Sequence, residues 1–217
     1  MIRNDQNFQL KKIQLALNKN GFIRKVNRMN LIGSKTLETD RLILRATEES
    51  DLKKLWEILC IPEVNQYYLT TKLSLNWEDE VKWQYLKLRN AKNPDVFQWS
   101  IILKENRECI GQISVQPGET DDFEKRDIGW FLSPQYQRKG LAYEAAKEVL
   151  NYMFKEVQIK SIDTSAAIVN PASWGLMEKL GFKRIIGKNQ FHKYTFVEDF
   201  VEGYSYHIDA SLIKDYS

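Results

Sequence analysis

Apolar and polar residues alternate along this chain with two different periods, and the changes of period mark out its elements. Arg41-Leu42-Ile43-Leu44-Arg45 is a short apolar run framed by charge and predicts a strand. Thr47-Glu48-Glu49-Ser50-Asp51 supplies capping oxygens and first-turn acids for a helix whose apolar residues are Leu52, Leu55, Trp56 and Leu59. A second helix is expected after Ser74, where Trp77, Val81, Tyr85 and Leu88 recur at helical spacing. Val96–Leu103 and Cys109–Gln116 are β-rich runs joined through Lys104-Glu105-Asn106-Arg107, the pattern of a hairpin. Arg126–Leu132 follows the acidic stretch Gly118–Glu124 and completes an antiparallel meander. From there the period switches back and forth. Leu141–Phe154 and Ala172–Leu180 read as helices, and Ser161–Ile168, Lys183–Ile186 and Tyr204–Ile208 as strands. A strand, a helix and a strand in one sheet imply a right-handed crossover and parallel neighbours. The expected fold class is α/β, with a mixed central sheet, antiparallel first and parallel in the middle, and flanking helices.

Composition narrows the class without changing this outline. Of 217 residues, 43% are hydrophobic and 28% charged, which excludes intrinsic disorder and collagen-like repeats. No stretch approaches the roughly 18 uncharged apolar residues of a spanning helix, so no membrane partner is expected. Cys60 and Cys109 have no C-x-x-C or C-x-x-H spacing, which argues against a disulfide scaffold or a zinc site and fits a cytoplasmic, reducing location. With only His192 and His207, no multi-histidine metal constellation is expected.

The net charge of +3 is unevenly spread: residues 1–37 hold eight Lys/Arg against Asp5 alone. Residues 1–36 therefore read as a basic N-terminal extension and 37–217 as the main domain. Leu10, Ile13 and Leu17 allow one amphipathic helix over about residues 6–19. A helix or arm resting on the domain and an arm for an anionic partner such as ribosomal RNA are both open readings. The segment lacks the apolar centre of a secretory signal.

The chemistry-bearing segment is Ile128-Gly129-Trp130-Phe131-Leu132-Ser133-Pro134-Gln135-Tyr136-Gln137-Arg138-Lys139-Gly140-Leu141-Ala142. A strand runs through a short turn into a helix, with Gly140 and the small Ala142 at the helix entrance. Unsatisfied N–H groups at the positive end of a helix dipole bind phosphate oxygens, and small residues let the anion approach. Neither a Walker loop nor a G-x-G-x-x-G fingerprint is present. What remains is [QR]-x-x-G-x-[GA], realised by Gln137, Gly140 and Ala142. A second segment follows: Asn170-Pro171-Ala172-Ser173-Trp174-Gly175-Leu176-Met177-Glu178-Lys179-Leu180-Gly181-Phe182.

Together these segments resemble the GNAT acetyltransferase superfamily over about Leu37 to Ile208, and most of all its branch that acetylates protein N-termini, including ribosomal proteins. The resemblance implies that the strands ending at Leu132 and beginning near Ser161 splay apart and that acetyl-CoA lies in the gap. Carried over by position, the backbones of Phe131 and Leu132 pair with the pantetheine amides. The N–H groups of Gln137, Arg138, Lys139, Gly140, Leu141 and Ala142 cradle the pyrophosphate, and Asn170 bonds to the pantetheine arm. A thioester is already activated, so an uncharged amine can attack directly once it is positioned and the leaving thiolate is protonated. A cysteine nucleophile would want a nearby histidine, and neither cysteine lies in the motif region.

Many family members carry a tyrosine acid where this chain has Met177, which cannot donate a proton. The branch acetylating ribosomal proteins uses the serine of N-x-x-S instead, here Ser173; its plainer role is to cap the helix. For the base, Asp127 stands where relatives often carry a glutamate. An ungapped count into the loop beyond Gly181-Phe182 lands on His192, with Lys193 beside it, and histidine has a suitable pKa. Glu119, Asp121, Asp122 and Glu124 could attract a cationic substrate or simply form a solvated hairpin tip. Trp56, Trp77 and Trp83 fall on the first two helices, which line the acceptor site in this family, and Trp99 and Trp130 on central strands.

The resulting expectation is an acetyl-CoA-dependent N-acetyltransferase acting on a protein or peptide N-terminus. A small amine such as an aminoglycoside, polyamine or amino acid is the alternative acceptor. A non-catalytic CoA-binding or ribosome-associated module is a third reading. The oligomeric state, a homodimer included, stays open.

Overall fold

The computed structural model describes residues 29–68, 97–118, 125–192, 194 and 199–212. The helix expected after Ser74, the acidic run 119–124, the arm through residue 28 and Lys193 lie outside the described residues. The elements run β1 (Leu37–Glu38), β2 (Leu42–Ala46), α1 (Leu52–Leu59), α2 (Pro62–Asn65), β3 (Phe97–Leu103), β4 (Cys109–Pro117) and β5 (Lys125–Leu132). There follow α3 (Leu141–Tyr152), which ends in a π turn over Met153–Val157, then β6 (Ser161–Ala167), α4 (Pro171–Lys179), β7 (Lys183–His192) and β8 (Val201–Asp209). The strands form one sheet in the order β1-β2-β3-β4-β5-β6-β8-β7. Every neighbouring pair is antiparallel except β5 and β6.

Strand alternation sorts the side chains onto two faces. Phe97, Trp99, Ile101, Ile113, Val115, Ile128 and Ile162 fall on the face that packs on α3 and α4, where Ala145, Ala146, Val149, Leu150 and Met177 complete the core. Small alanines along α3 let the helix approach the sheet closely. On the other face Leu55, Ile58 and Leu59 of α1 form a smaller apolar cluster with Phe131.

The start of α1 is fixed by a buried ion pair. Arg45 grips Asp51 through two bonds of 2.6 and 2.7 Å, while Ser100 and the Glu48 N–H complete the carboxylate's shell at 2.8 and 2.9 Å. Burial alone would raise the Asp51 pKa, but these bonds outweigh it and hold the carboxyl below its ordinary value.

Residues 29–36 are tied to the back of the domain. The Asn30 N–H bonds to the Val157 carbonyl at 2.7 Å, and Tyr152 donates to the Gly33 carbonyl at 2.6 Å. Ser34 accepts from the Gln98 N–H, and the Lys35 carbonyl accepts from the Trp99 indole, both at 2.7 Å.

The parallel pairing of β5 with β6 is limited to Lys125 with Ser161 and Arg126 with Ile162. Beyond those pairs the strands part, and Thr164 Oγ1 reaches the Ile128 carbonyl at 3.2 Å across the opening. Splayed strands are thus observed where the family resemblance implied them. The last hairpin differs from expectation. β7 does not end at Ile186 but runs to His192, because pairing with β8 resumes at Asn189 after a register shift from Arg184. The residues between leave the ladder, which is why periodicity alone stops short.

Candidate active site

The parting of β5 and β6 opens a cleft of about 1250 Å³ that continues over the sheet face below α2. Its two ends differ in character. At one end the turn after β5 passes through Arg138 and Gly140, both with positive φ (58° and 78°), before entering α3. Glycine takes that backbone without cost, whereas another residue there is strained. The backbone N–H groups of Arg138, Lys139, Gly140, Leu141, Ala142 and Tyr143 make no hydrogen bond among the described residues, and no side chain caps the helix. Six free donors beside the positive end of a helix dipole form a ready anion cradle, and phosphate oxygens fit it.

A residue the sequence did not single out holds this turn in place. Arg41 bonds to the Lys139 carbonyl at 3.0 Å and to Glu144 at 2.7 Å, and Thr39 adds a 2.6 Å bond to the same carboxylate. Burial would raise the Glu144 pKa, but these partners hold it below the usual value. Gln137 Nε2 pins the turn from the other side through the Leu132 carbonyl at 2.9 Å.

At the other end the floor is polar. Gln98, Gln112, Ser114, Gln116 and Asp127 line the cleft from β3, β4 and β5, with Ser165 across the gap on β6. Gln116 Nε2 donates to Asp127 at 3.3 Å. Tyr67, Tyr68 and Tyr194 wall this end, Tyr68 edge-on to Phe131 at 5.3 Å and Tyr67 edge-on to Tyr194 at 5.9 Å. Burial, and after it the Asp127 charge, push the Tyr68 hydroxyl up to about 12, so it stays protonated at neutral pH. The alternation of Gln98 with Ser100, and of Gln112 with Ser114 and Gln116, carries this polar face in the sequence itself.

The residues named from sequence are distributed as follows. Asp127, Phe131, Leu132, Gln137, Arg138, Gly140, Ala142, Asn170 and Ser173 all line the cleft. The Leu141 side chain is in the core, and the Lys139 carbonyl is held by Arg41 beside the cleft rather than lining it. Ser133 donates its N–H to Ile110, and strand alternation then turns the peptide groups of Phe131 toward β4, with those of Trp130 and Leu132 toward the gap. Ser173 is not the cap of α4. Asn170 is, its side chain accepting from the Ser173 N–H at 3.3 Å, and the Ser173 hydroxyl has no bonded partner among the described residues. His192 sits on a strand rather than in a loop, behind the cleft wall, with Nε2 2.8 Å from Ser165 Oγ. Burial pushes the Cys109 thiol up to about 11, which withholds a thiolate nucleophile at neutral pH.

Residues 41–183 match the family model described as acetyltransferase (GNAT) domain. The chain belongs to the GNAT acetyltransferase family. It is 32% identical over 149 residues to the uncharacterized protein YkkB of Bacillus subtilis, covering 67% of this chain and 83% of that protein. It is 25% identical over 154 residues to the [ribosomal protein uS5]-alanine N-acetyltransferase of Escherichia coli, covering 68% and 78%. Spermidine N-acetyltransferase from Vibrio cholerae, solved with CoA and spermine, superposes with a TM-score of 0.67 at 17% identity, over 80% of this chain and 98% of that one. This GNAT protein is accordingly an N-acetyltransferase, and the acetyl donor of GNAT acetyltransferases is acetyl-CoA. Among its described residues no helix is long and apolar enough to cross a membrane.

Proposed function

We propose that the chain acetylates the amino terminus of a protein or peptide. The carrying observation is the asymmetry of the cleft. Among the described residues Arg138 and Lys179 are the cations lining it and Glu63 and Asp127 the anions, so one end suits phosphates and the other an ammonium group. A polyamine would want several carboxylates for its several charges. Among the described residues the acceptor end instead offers Gln98, Gln112, Gln116, Ser114 and Ser165, groups that match the amides of a peptide backbone. The likeness to an enzyme named for uS5 alanine acetylation supports the same reading.

The amides from Arg138 to Tyr143 hold the pyrophosphate, and the backbones of Trp130 and Leu132 hold the pantetheine. The Asn170 carbonyl oxygen is engaged in capping, which leaves its Nδ2 as the donor toward pantetheine. The Ser173 hydroxyl, with no bonded partner among the described residues, protonates the departing thiolate. Asp127 holds the incoming ammonium group beside Gly129. The thioester supplies an activated acetyl group, and the protein's work is to align the amine with it and exclude competing attack by water.

Thiol release from acetyl-CoA, measured against Ser- and Ala-starting peptides, polyamines, aminoglycosides and free amino acids, tests this. Release that requires a peptide amino terminus is the expected result, and release confined to a small amine overturns the acceptor assignment. Ser173→Ala should lose about 10²-fold in kcat with acetyl-CoA binding retained. A binding module would bind acetyl-CoA in calorimetry and release no thiol with any of these amines.

A further inference from the structure

We propose that Ser165, coupled to His192 through the space above Gly203, carries the proton away from the attacking amine. The proposal rests on the acetyl-transfer reading above and adds two residues to it. Ser165 follows the point where β6 leaves β5, and its side chain falls on the same sheet face as Asp127 and Gly129. If the parallel register continued, Ser165 would stand abreast of Gly129, where no side chain separates it from the gap. This is the acceptor side of the cleft, across the sheet from Ser173 on α4. A proton accepted here and one donated there would serve opposite ends of one displacement.

The partner comes from two strands away. The sheet order is β6-β8-β7, so His192, paired with Val201 at the edge, must cross β8 to meet Ser165, which is paired with Ser205. It crosses over Gly203. A Cβ at residue 203 would lie 3.2 Å from His192 Cδ2 and 3.0 Å from the Ala166 carbonyl, so the missing side chain is what opens the passage. Tyr194 packs beside the imidazole with centroids 5.9 Å apart, and itself meets Tyr67 at the cleft wall. Most side-chain hydrogen bonds go to backbone or water. A hydroxyl in the cleft held at 2.8 Å by an imidazole from behind is the arrangement that gives serine somewhere to send its proton.

The step balances with no further reactant. The ammonium form of the acceptor gives a proton to Ser165 Oγ while the Ser165 hydroxyl proton moves to His192 Nε2. The amine is left neutral with its lone pair free, and the imidazole is left as imidazolium. Water takes that proton from His192 before the next turnover. Ser165 touches the substrate, and His192 acts through it.

The chain has two histidines, so nitrogen-15 NMR of the imidazoles resolves His192 from His207. The expected spectrum of the acetyl-CoA complex at neutral pH has His192 Nε2 unprotonated and the proton on Nδ1, with only that ring shifting in Ser165→Ala. A protonated Nε2 donating to Ser165 overturns the proposal, whatever the acceptor proves to be. In turnover, Ser165→Ala and His192→Gln should each lose about 10²-fold in kcat with the KM for acetyl-CoA unchanged. Ser165→Thr should recover most of the rate, and Gly203→Ala should fall between. Wild-type rates in Ser165→Ala also overturn the proposal. Acetyl-CoA binding without amine turnover in the wild-type protein would remove the enzymatic reading instead and leave the tautomer to decide the pairing.

Discussion

The face of the sheet that packs on α3 presents Phe97, Trp99, Ile101, Ile113, Val115 and Ile128, whereas the opposite face presents Gln98, Ser100, Gln112, Ser114, Gln116 and Asp127 from the same three strands. At these positions the residue type switches with the pleat. The apolar face contributes stability through area removed from water, each fully buried large side chain being worth about 1.5–3 kcal/mol. The polar face contributes little of that kind, since buried amides and hydroxyls at best recover what their desolvation costs. A chain built for stability alone would fill both faces with apolar residues. If the cleft receives a peptide, the polar set would supply its hydrogen-bonding partners, with the apolar set holding that face rigid from behind.

The largest effect should come from the apolar side. Trp99→Ala opens a cavity and orphans the Lys35 carbonyl, and should lower unfolding free energy by about 3–5 kcal/mol in a urea titration. Gln112→Leu, on the polar side, should leave the urea midpoint unchanged or raised while raising the KM for the amine. Equal stability losses from the two would erase the distinction between the faces.

Asp51→Asn comes next, at about 3 kcal/mol, because it removes the buried carboxylate that Arg45 grips and leaves the guanidinium with the exposed Glu48 at 3.6 Å instead. Asp51 is held below its ordinary pKa in the folded state, so its contribution is full above that ordinary value and fades as pH falls through the depressed one. Acid titration of stability should therefore be shallower in the variant than in the parent protein.

Gly140→Ala places a side chain at a φ of 78° and should cost about 1–2 kcal/mol, together with weaker acetyl-CoA binding in calorimetry. Unchanged binding would detach the anion cradle from the turn. The smallest effect is expected at Lys35→Ala. Its 3.1 Å ion pair with Glu156 is largely solvent-exposed, and thermal melts should move by no more than about 0.5 kcal/mol equivalent. A larger loss would mean that the ion pair, and not the backbone bonds of Gly33 to Lys35, ties this segment down.

Elements whose identity rests on local pattern were legible in the sequence: α1 from its apolar side, the β3–β4 hairpin, the crossover through α3, and the turn into α3 from Gln137, Gly140 and Ala142. Less legible were features made by residues distant along the chain. Arg41 reaches the turn from more than 90 positions away, and nothing in its neighbourhood marks it as a brace. The contact of His192 with Ser165 depends on a strand whose pairing lapses and resumes, and on a glycine in the strand between them. Ser173 and Asn170 were readable as a motif, but which of them caps the helix is decided by backbone geometry. The polar floor was readable as well, from glutamine and serine at every second position, once both faces of each strand are considered.

The brevity of the β5–β6 ladder bears on how the chain folds. Two residue pairs join a meander of five sequential strands to a second unit of three. Within the meander β3, β4 and β5 pair through contacts of short span and can form locally, whereas β2 meets β3 only across the long segment between Ala46 and Phe97. The second unit needs β8 to insert between β6 and β7, so its pairing does not follow the order of the chain. The seam between them is the expected last place to close and the first to open, and amide protons on the two sides should exchange as separate cooperative units. A ligand lying along the parted strands would bridge the two units and couple their opening.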